Sequence, residues 1–240
     1  MLGKTALIIG ATGAVGKFLL QELLSSPAYS RVGEFGRRVT SFEHITTGQE
    51  KLIQRVIDFE NLGASRLKEG KWDVVFVTFG TQRGKVGGDA AFEKIDREYV
   101  VNVAREAMND DPSVSQRVVY VSSAGANPES HFLYPRSKGL TELGLAELGY
   151  KETIIFRPAA LTHAERSERR LMESVAISLL NIRKSWVRKY SVPCPTLATA
   201  LKNAGALNGA TLQQYATKDA DVPFTLVDNG AIRPLADVTL

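Results

Sequence analysis

At 240 residues and 44% apolar content, the chain is long enough for one large globular domain built on a single core. Thirty basic against 26 acidic residues leave a formal charge of +4, too mild to require nucleic acid or an anionic membrane as a partner. One cysteine, Cys194, excludes an internal disulfide and fits a reducing, cytoplasmic setting, and no apolar run reaches the length of a membrane span. The first strand begins so close to Met1 that no cleavable leader is expected.

Thr5-Ala6-Leu7-Ile8-Ile9 is an unbroken apolar run of the buried parallel-strand type. Gly10-Ala11-Thr12-Gly13-Ala14-Val15-Gly16 follows, and apolar positions then recur at helical spacing to Leu24. Strand, glycine loop and helix are the setting of a dinucleotide site. In it Gly10 makes the tight turn, Gly13 lets the backbone approach a pyrophosphate, and Gly16 lets the helix pack close to the strand. The N–H groups and dipole of the helix start would hold the phosphates, with Thr12, Ala14 and Val15 in the loop. The spacing G-x-x-G-x-x-G is one residue off the commonest form, and a plain glycine-rich turn would carry the same residues.

Pro27 ends the first helix. Residues 31–36 read as a second strand, 40–50 as a polar loop, 52–58 as a third strand and 62–67 as a short helix. A strong fourth strand at 73–79 leads into a glycine-rich loop at 80–88 and a helix at 90–108. A fifth strand at 117–122, a helix at 135–148 and a sixth strand at 153–156 follow. This alternation predicts an α/β, Rossmann-like doubly wound parallel sheet with helices on both faces. The chain is expected to be one nucleotide-binding domain, with residues 159–240 adding a small, irregular C-terminal substrate lobe.

The end of the second strand chooses the cofactor. An acidic residue there suits the ribose 2′-hydroxyl of NAD, and arginine suits the 2′-phosphate of NADP. The strand ends Gly36-Arg37-Arg38, while Glu34 lies two residues too early. Paired guanidinium groups match a dianionic phosphate by charge and by two-point hydrogen bonding, which favours NADPH/NADP over NAD. A solvated surface pair is the plain alternative. Asp58, at the tip of the third strand, is placed to meet adenine; Phe79 and Gly80, with Thr81 beside them, would lie along the cofactor.

A second constellation joins Ser122-Ser123, at the end of the fifth strand, to Tyr134-Pro135-Arg136-Ser137-Lys138. A tyrosine and a lysine four apart share one side of a helix. A phenol with its ordinary pKa near 10 is a poor acid–base group, and moving it by about three units takes roughly 4 kcal/mol from neighbours such as an ammonium. With a serine hydroxyl on the substrate oxygen, Tyr134 and Lys138 would form a proton relay for reducing a carbonyl or oxidising an alcohol. Pro135 biases Tyr134 away from helical geometry, so Tyr134 is expected to cap the helix and Pro135 to open it. Arg83 and Lys85 would meet an anionic substrate group or stand solvated on a lid. Asn102 would hold a water in the relay; His131 is given no catalytic role, and no metal is expected.

These residues resemble the short-chain dehydrogenase/reductase superfamily, and within it the Tat-interacting oxidoreductase family with its fungal, mitochondria-associated relatives. The resemblance spans residues 5–208. It is carried by Gly10–Gly16, Gly36-Arg37-Arg38, Val56-Ile57-Asp58-Phe59-Glu60 and Phe79-Gly80-Thr81-Gln82-Arg83-Gly84-Lys85. It is also carried by Ile95-Asp96-Arg97-Glu98-Tyr99-Val100, Ser122-Ser123-Ala124-Gly125-Ala126, Phe132-Leu133-Tyr134, Lys138-Gly139, Phe156-Arg157-Pro158 and Ser191-Val192-Pro193. The resemblance implies bound NADPH, Tyr134 and Lys138 as the catalytic pair, and Leu161 flanking the cofactor with Phe79 and Gly80. It implies phosphate contacts on Thr12, Gly13, Ala14 and Val15, and 2′-phosphate contacts on Arg37 and Arg38. The expected function is therefore an NADPH-dependent oxidoreductase on a small-molecule carbonyl or alcohol. An NADPH-binding regulatory protein with little turnover, or an epimerase or dehydratase, are the alternatives.

Monomer and homodimer both remain open, and no nucleic-acid partner is expected. Residues 171–190 combine an apolar stripe with Trp186 and a basic end at Arg183, Lys184, Arg188 and Lys189. Such a segment suits peripheral contact with an anionic membrane, and the fungal resemblance points to the cytosolic face of the mitochondrial outer membrane. Packing of the stripe against the chain's own sheet is the alternative reading.

Overall fold

The structure, a computed structural model, describes residues 3–81, 86–111, 114–162, 191–217 and 222–240. Its central sheet runs β3 (Leu52–Val56), β2 (Tyr29–Gly36), β1 (Lys4–Ile9), β4 (Val74–Val77), β5 (Arg117–Val121), β6 (Glu152–Arg157) and β9 (Thr225–Asp228). Every neighbouring pair is parallel. The order reverses direction between β1 and β4, and an open α/β sheet binds its ligand in the crevice beyond the strand ends at such a point.

Because successive side chains point to opposite faces of a strand, a sheet covered on both sides needs strands that are apolar throughout. Ala6, Ile8, Phe76 and Val119 face one layer, made by α1 (Gly16–Ser25), α5 (Cys194–Ala206) and α7 (Asn229–Ala236). Leu7, Ile9, Val75 and Val118 face the other, where Val100, Val103 and Ala104 of α3 (Tyr99–Glu106) and Leu145 of α4 (Leu133–Ala146) pack. The helix expected at 90–108 is α2 (Asp89–Glu93) and α3 joined by a π turn, Lys94–Glu98. A short α6 (Gly209–Leu212) follows α5.

Three differences from the sequence reading have local causes. The short helix expected at 62–67 is two tight turns, Leu62–Ser65 and Leu67–Gly70, separated by Arg66 in the left-handed region at φ 56°. The sheet gains a seventh strand, β9, whose four residues are too few to show a periodicity. Much of 159–240 also joins the main layers through α5, β9 and α7. The separate two-stranded sheet of β7 (Ala160–Thr162) and β8 (Ser191–Pro193) stands apart from the seven-stranded one. Pro193 caps α5 and Pro195 lies in its first turn, where a missing N–H costs nothing. The basic stripe at 171–190 lies outside the described residues.

Candidate active site

The glycine loop lies at the C-terminal end of β1. Gly10 has φ +101°, and a Cβ on it would lie 2.7 Å from the Phe79 amide nitrogen, so the turn backs directly on the end of β4. A Cβ on Gly16 would lie 2.1 Å from the Gly10 carbonyl oxygen, which is the close helix–strand packing expected of that glycine. The Gly13 amide closes the turn on Gly10 O at 3.0 Å. No side chain caps α1 and no acidic residue occupies its first turn. With the positive end of the helix dipole there, the loop of Thr12, Gly13, Ala14 and Val15 fits a pyrophosphate held by backbone groups.

At the end of β2, Glu34 is buried and fully engaged. Its Oε1 accepts from Thr40 N and Thr40 Oγ1, both at 2.7 Å, and its Oε2 accepts from Gln54 Nε2 at 2.7 Å. This carboxylate is part of the core and unavailable to a ribose. Arg37 and Arg38 follow, both exposed. Asp58, also exposed, turns its Oδ1 to the Glu60 amide at 2.9 Å. Phe79 packs edge-on against Phe59, ring centroids 5.3 Å apart. Leu161, in β7 opposite Val192, is partly buried against the core.

The helix carrying the tyrosine differs from expectation. Phe132 caps α4, and Tyr134 and Pro135 both lie inside its first turn. The first amides of a helix have no partner within it, so Pro135 is tolerated two residues in as readily as at the start. This winds Tyr134 into the helix, and Lys138 Nζ then lies 5.9 Å from the Tyr134 ring centroid. Lys138 is buried and donates to Tyr120 Oη at 2.9 Å and to Asp96 Oδ1 at 3.1 Å. Burial works against its ammonium, but the Asp96 carboxylate, with Tyr120 and Tyr134, more than offsets this and holds its pKa well above the ordinary lysine value.

The resemblance included Asp96 without giving it a role. It lies in the π turn, wholly buried, and its Oδ1 also accepts from Thr81 N at 3.2 Å. The sequence signal was its place four residues from both Phe92 and Val100, an acid on an otherwise apolar stripe.

No family model matches the chain. It is 35% identical over 204 residues to Protein HTATIP2 of Rattus norvegicus, a match covering 85% of this chain and 81% of that one. The chain belongs to this family. Protein fmp52-1, mitochondrial, of Aspergillus oryzae is 33% identical over 220 residues, 87% of this chain and 89% of that one. Among solved structures, the YIR035C short chain dehydrogenase/reductase of Saccharomyces cerevisiae superposes with a TM-score of 0.64 over 97% of this chain and 99% of that chain, at 15% identity. The fold is thus of the short-chain dehydrogenase/reductase type.

In this HTATIP2/FMP52 family member the two candidate serines part company. Ser122 is buried, and its Oγ donates to Glu142 Oε1 at 2.5 Å. Its hydroxyl belongs to a buried polar network, which corrects its expected place in the relay. Ser123 is partly exposed, with Oγ 3.2 Å from Ala124 O. Asn102 is corrected too: it is exposed, and its Oδ1 accepts from Arg105 Nη1 at 2.7 Å, while Asp96 occupies the place beside Lys138. His131 is exposed. Arg83 and Lys85 lie outside the described residues.

Proposed function

We propose that this chain is an NADPH-dependent oxidoreductase acting on a small carbonyl or alcohol. The observation that carries the reading is the approach of Lys138 to Tyr134 next to the nucleotide loop. A Cβ on Gly80 would lie 3.3 Å from Lys138 Nζ, and the preceding residue, Phe79, touches Gly10. The phosphate-binding turn and the tyrosine–lysine pair therefore meet at one end of the sheet.

In this reading the start of α1 holds the pyrophosphate, and Arg37 and Arg38 hold the 2′-phosphate. Asp58 faces the adenine, and Phe79, Gly80, Thr81 and Leu161 flank the cofactor. Bound NADPH supplies the hydride. Tyr134 gives its hydroxyl proton to the carbonyl oxygen, Ser123 orients that oxygen, and Lys138 fixes the geometry of the pair. A screen of carbonyls and alcohols that follows NADPH absorbance tests this, beside a calorimetric NADPH titration. Turnover that Tyr134→Phe abolishes supports it. Tight NADPH binding with no turnover of any substrate replaces it with the regulatory reading.

The word mitochondrial in the names of the fungal relatives supports a mitochondrial location. No helix among the described residues is long and apolar enough to cross a membrane, and the contact proposed is peripheral, through residues 171–190. Co-sedimentation with anionic liposomes, lost when Arg183, Lys184, Arg188 and Lys189 become glutamine, is its test.

A further inference from the structure

Residues 37–39 form a short turn that is anchored at both ends. At the near end the Gly36 carbonyl accepts from Ile57 N at 2.9 Å, just past β3. The chain then folds back over that glycine, where a Cβ would lie 3.2 Å from the Arg38 carbonyl oxygen. At the far end Thr40 is held through all three of its polar groups. Glu34 Oε1 accepts from its amide and its hydroxyl, and its carbonyl accepts from Gln54 Nε2 at 2.7 Å. The same Gln54 nitrogen donates to Glu34 Oε2, so both of its N–H bonds are used. Glu34 and Gln54 are direct partners in the β2–β3 pairing, which fixes where the far anchor stands.

An acid at this place needs a reason. Val32 and Phe35 in the same strand are apolar and buried, and Glu34 itself is only 1% exposed. Its three donors are neutral: an amide, a hydroxyl and a carboxamide. Burying a carboxylate is costly, but its bonds are about twice as strong as those of a neutral acceptor. It also offers two acceptor oxygens, one for Thr40 and one for Gln54. A glutamine would offer one, and its own NH₂ would face that of Gln54. The carboxylate therefore suits the task of holding Thr40, and Thr40 closes the turn that carries the two exposed arginines.

We propose that Glu34, Gln54 and Thr40 are positioning residues for cofactor choice: they hold the turn so that Arg37 and Arg38 meet a 2′-phosphate in a shape already formed. This rests on the reading of the two arginines as the holders of that phosphate. Each backbone residue that a ligand must order on binding costs about tenfold in affinity, and a turn closed beforehand avoids that loss. NADH has no 2′-phosphate and does not draw on the turn.

The test uses the whole chain. Thr40→Val removes the hydroxyl and Gln54→Leu the carboxamide. Both leave the Glu34 charge in place, so the hold on the turn changes without a change of charge. Thr40→Ser keeps the hydroxyl and is the conservative control. In the cofactor-free chain, amide hydrogen exchange over residues 37–40 should quicken about tenfold in the first two variants and match wild type in Thr40→Ser. By calorimetry the NADPH Kd should rise about tenfold in the first two, with NADH changed by less than about twofold and Thr40→Ser again like wild type. Either variant decides if the other fails to fold. Unchanged exchange, or equal changes for the two cofactors, overturns the proposal. The Arg37→Ala/Arg38→Ala variant separates this from the reading beneath it. Selective loss of NADPH there, but not in Thr40→Val or Gln54→Leu, removes the proposal and leaves the arginine reading standing. No selective loss in the arginine variant removes both.

Discussion

Glu142 and Arg157 face each other as a two-point ion pair, Nε to Oε1 at 2.9 Å and Nη2 to Oε2 at 2.5 Å. The pair joins α4 to the end of β6, and the Ser122 hydroxyl from the end of β5 completes it. Glu142 is 1% exposed and Arg157 20%, so removing the acid takes the two-point ion pair away from a partly buried guanidinium. Glu142→Ala should cost about 3 kcal/mol by urea unfolding, the low end for a broken buried pair. Ser122→Ala should cost only about 1–2 kcal/mol, because the ion pair survives it. Its turnover per folded molecule should stay within a few-fold of wild type, whereas Ser123→Ala should lose most of the activity. Equal losses in the two serine variants would return Ser122 to the relay.

The proposed preference for NADPH rests on the end of β2. With Glu34 sealed inside by Thr40 and Gln54, the exposed side chains at that end are those of Arg37 and Arg38. Each hydrogen-bonded charge pair contributes about 1.5–3 kcal/mol, so the double alanine variant should weaken NADPH by at least about a hundredfold. NADH affinity should change little. Calorimetry on both cofactors checks this, and equal losses would contradict it.

Tyr134→Phe removes one hydroxyl from a ring packed 6.1 Å from Phe92 and leaves the ring in place. Turnover should fall by about 10²–10⁴, the scale of a lost general acid. NADPH affinity should remain within about twofold, since no cofactor contact is assigned to that hydroxyl. Lys138→Ala should damage stability as well, because it strands Asp96 in the core.

Alkaline pH should unfold the chain cooperatively. Burial raises the pKa of Tyr29, Tyr120 and Tyr150; at Lys138 burial pulls it down, but Asp96, Tyr120 and Tyr134 together more than offset this and raise it. In each case the folded value lies above the unfolded one, near 10 for tyrosine and 10.5 for lysine. The folded state therefore keeps protons that the unfolded chain has lost. These contributions are fully present below about pH 10 and disappear as the pH rises through the folded values. Urea midpoints should be flat across the neutral range and fall steeply above about pH 10. Tyr150→Phe, which loses the bond from Oη to Ala104 O at 2.6 Å, should cost about 1 kcal/mol at neutral pH and make the alkaline fall shallower.

The sequence by itself determined what short-range patterns encode. Unbroken apolar runs at β1 and β4, alternating with helical periodicities, specify a parallel sheet with two covered faces, because strand and helix repeats differ and each shows within one element. Gly10, Gly16, the Arg37-Arg38 pair and the four-residue step from Tyr134 to Lys138 are local in the same sense. Only the tertiary structure decided which residues meet across the crossovers. Asp96 reaches Lys138 over 42 positions, and Ser122 reaches Glu142 over 20. The apolar stripe around Asp96 marks it as buried but not what it meets, and no local repeat separates Ser122 from Ser123. Those choices depend on how α3 and α4 lean together over β5, and on which side of a strand end each hydroxyl falls. The seventh strand is of the same kind: four residues with no repeat of their own become β9 because β6 offers them an open edge.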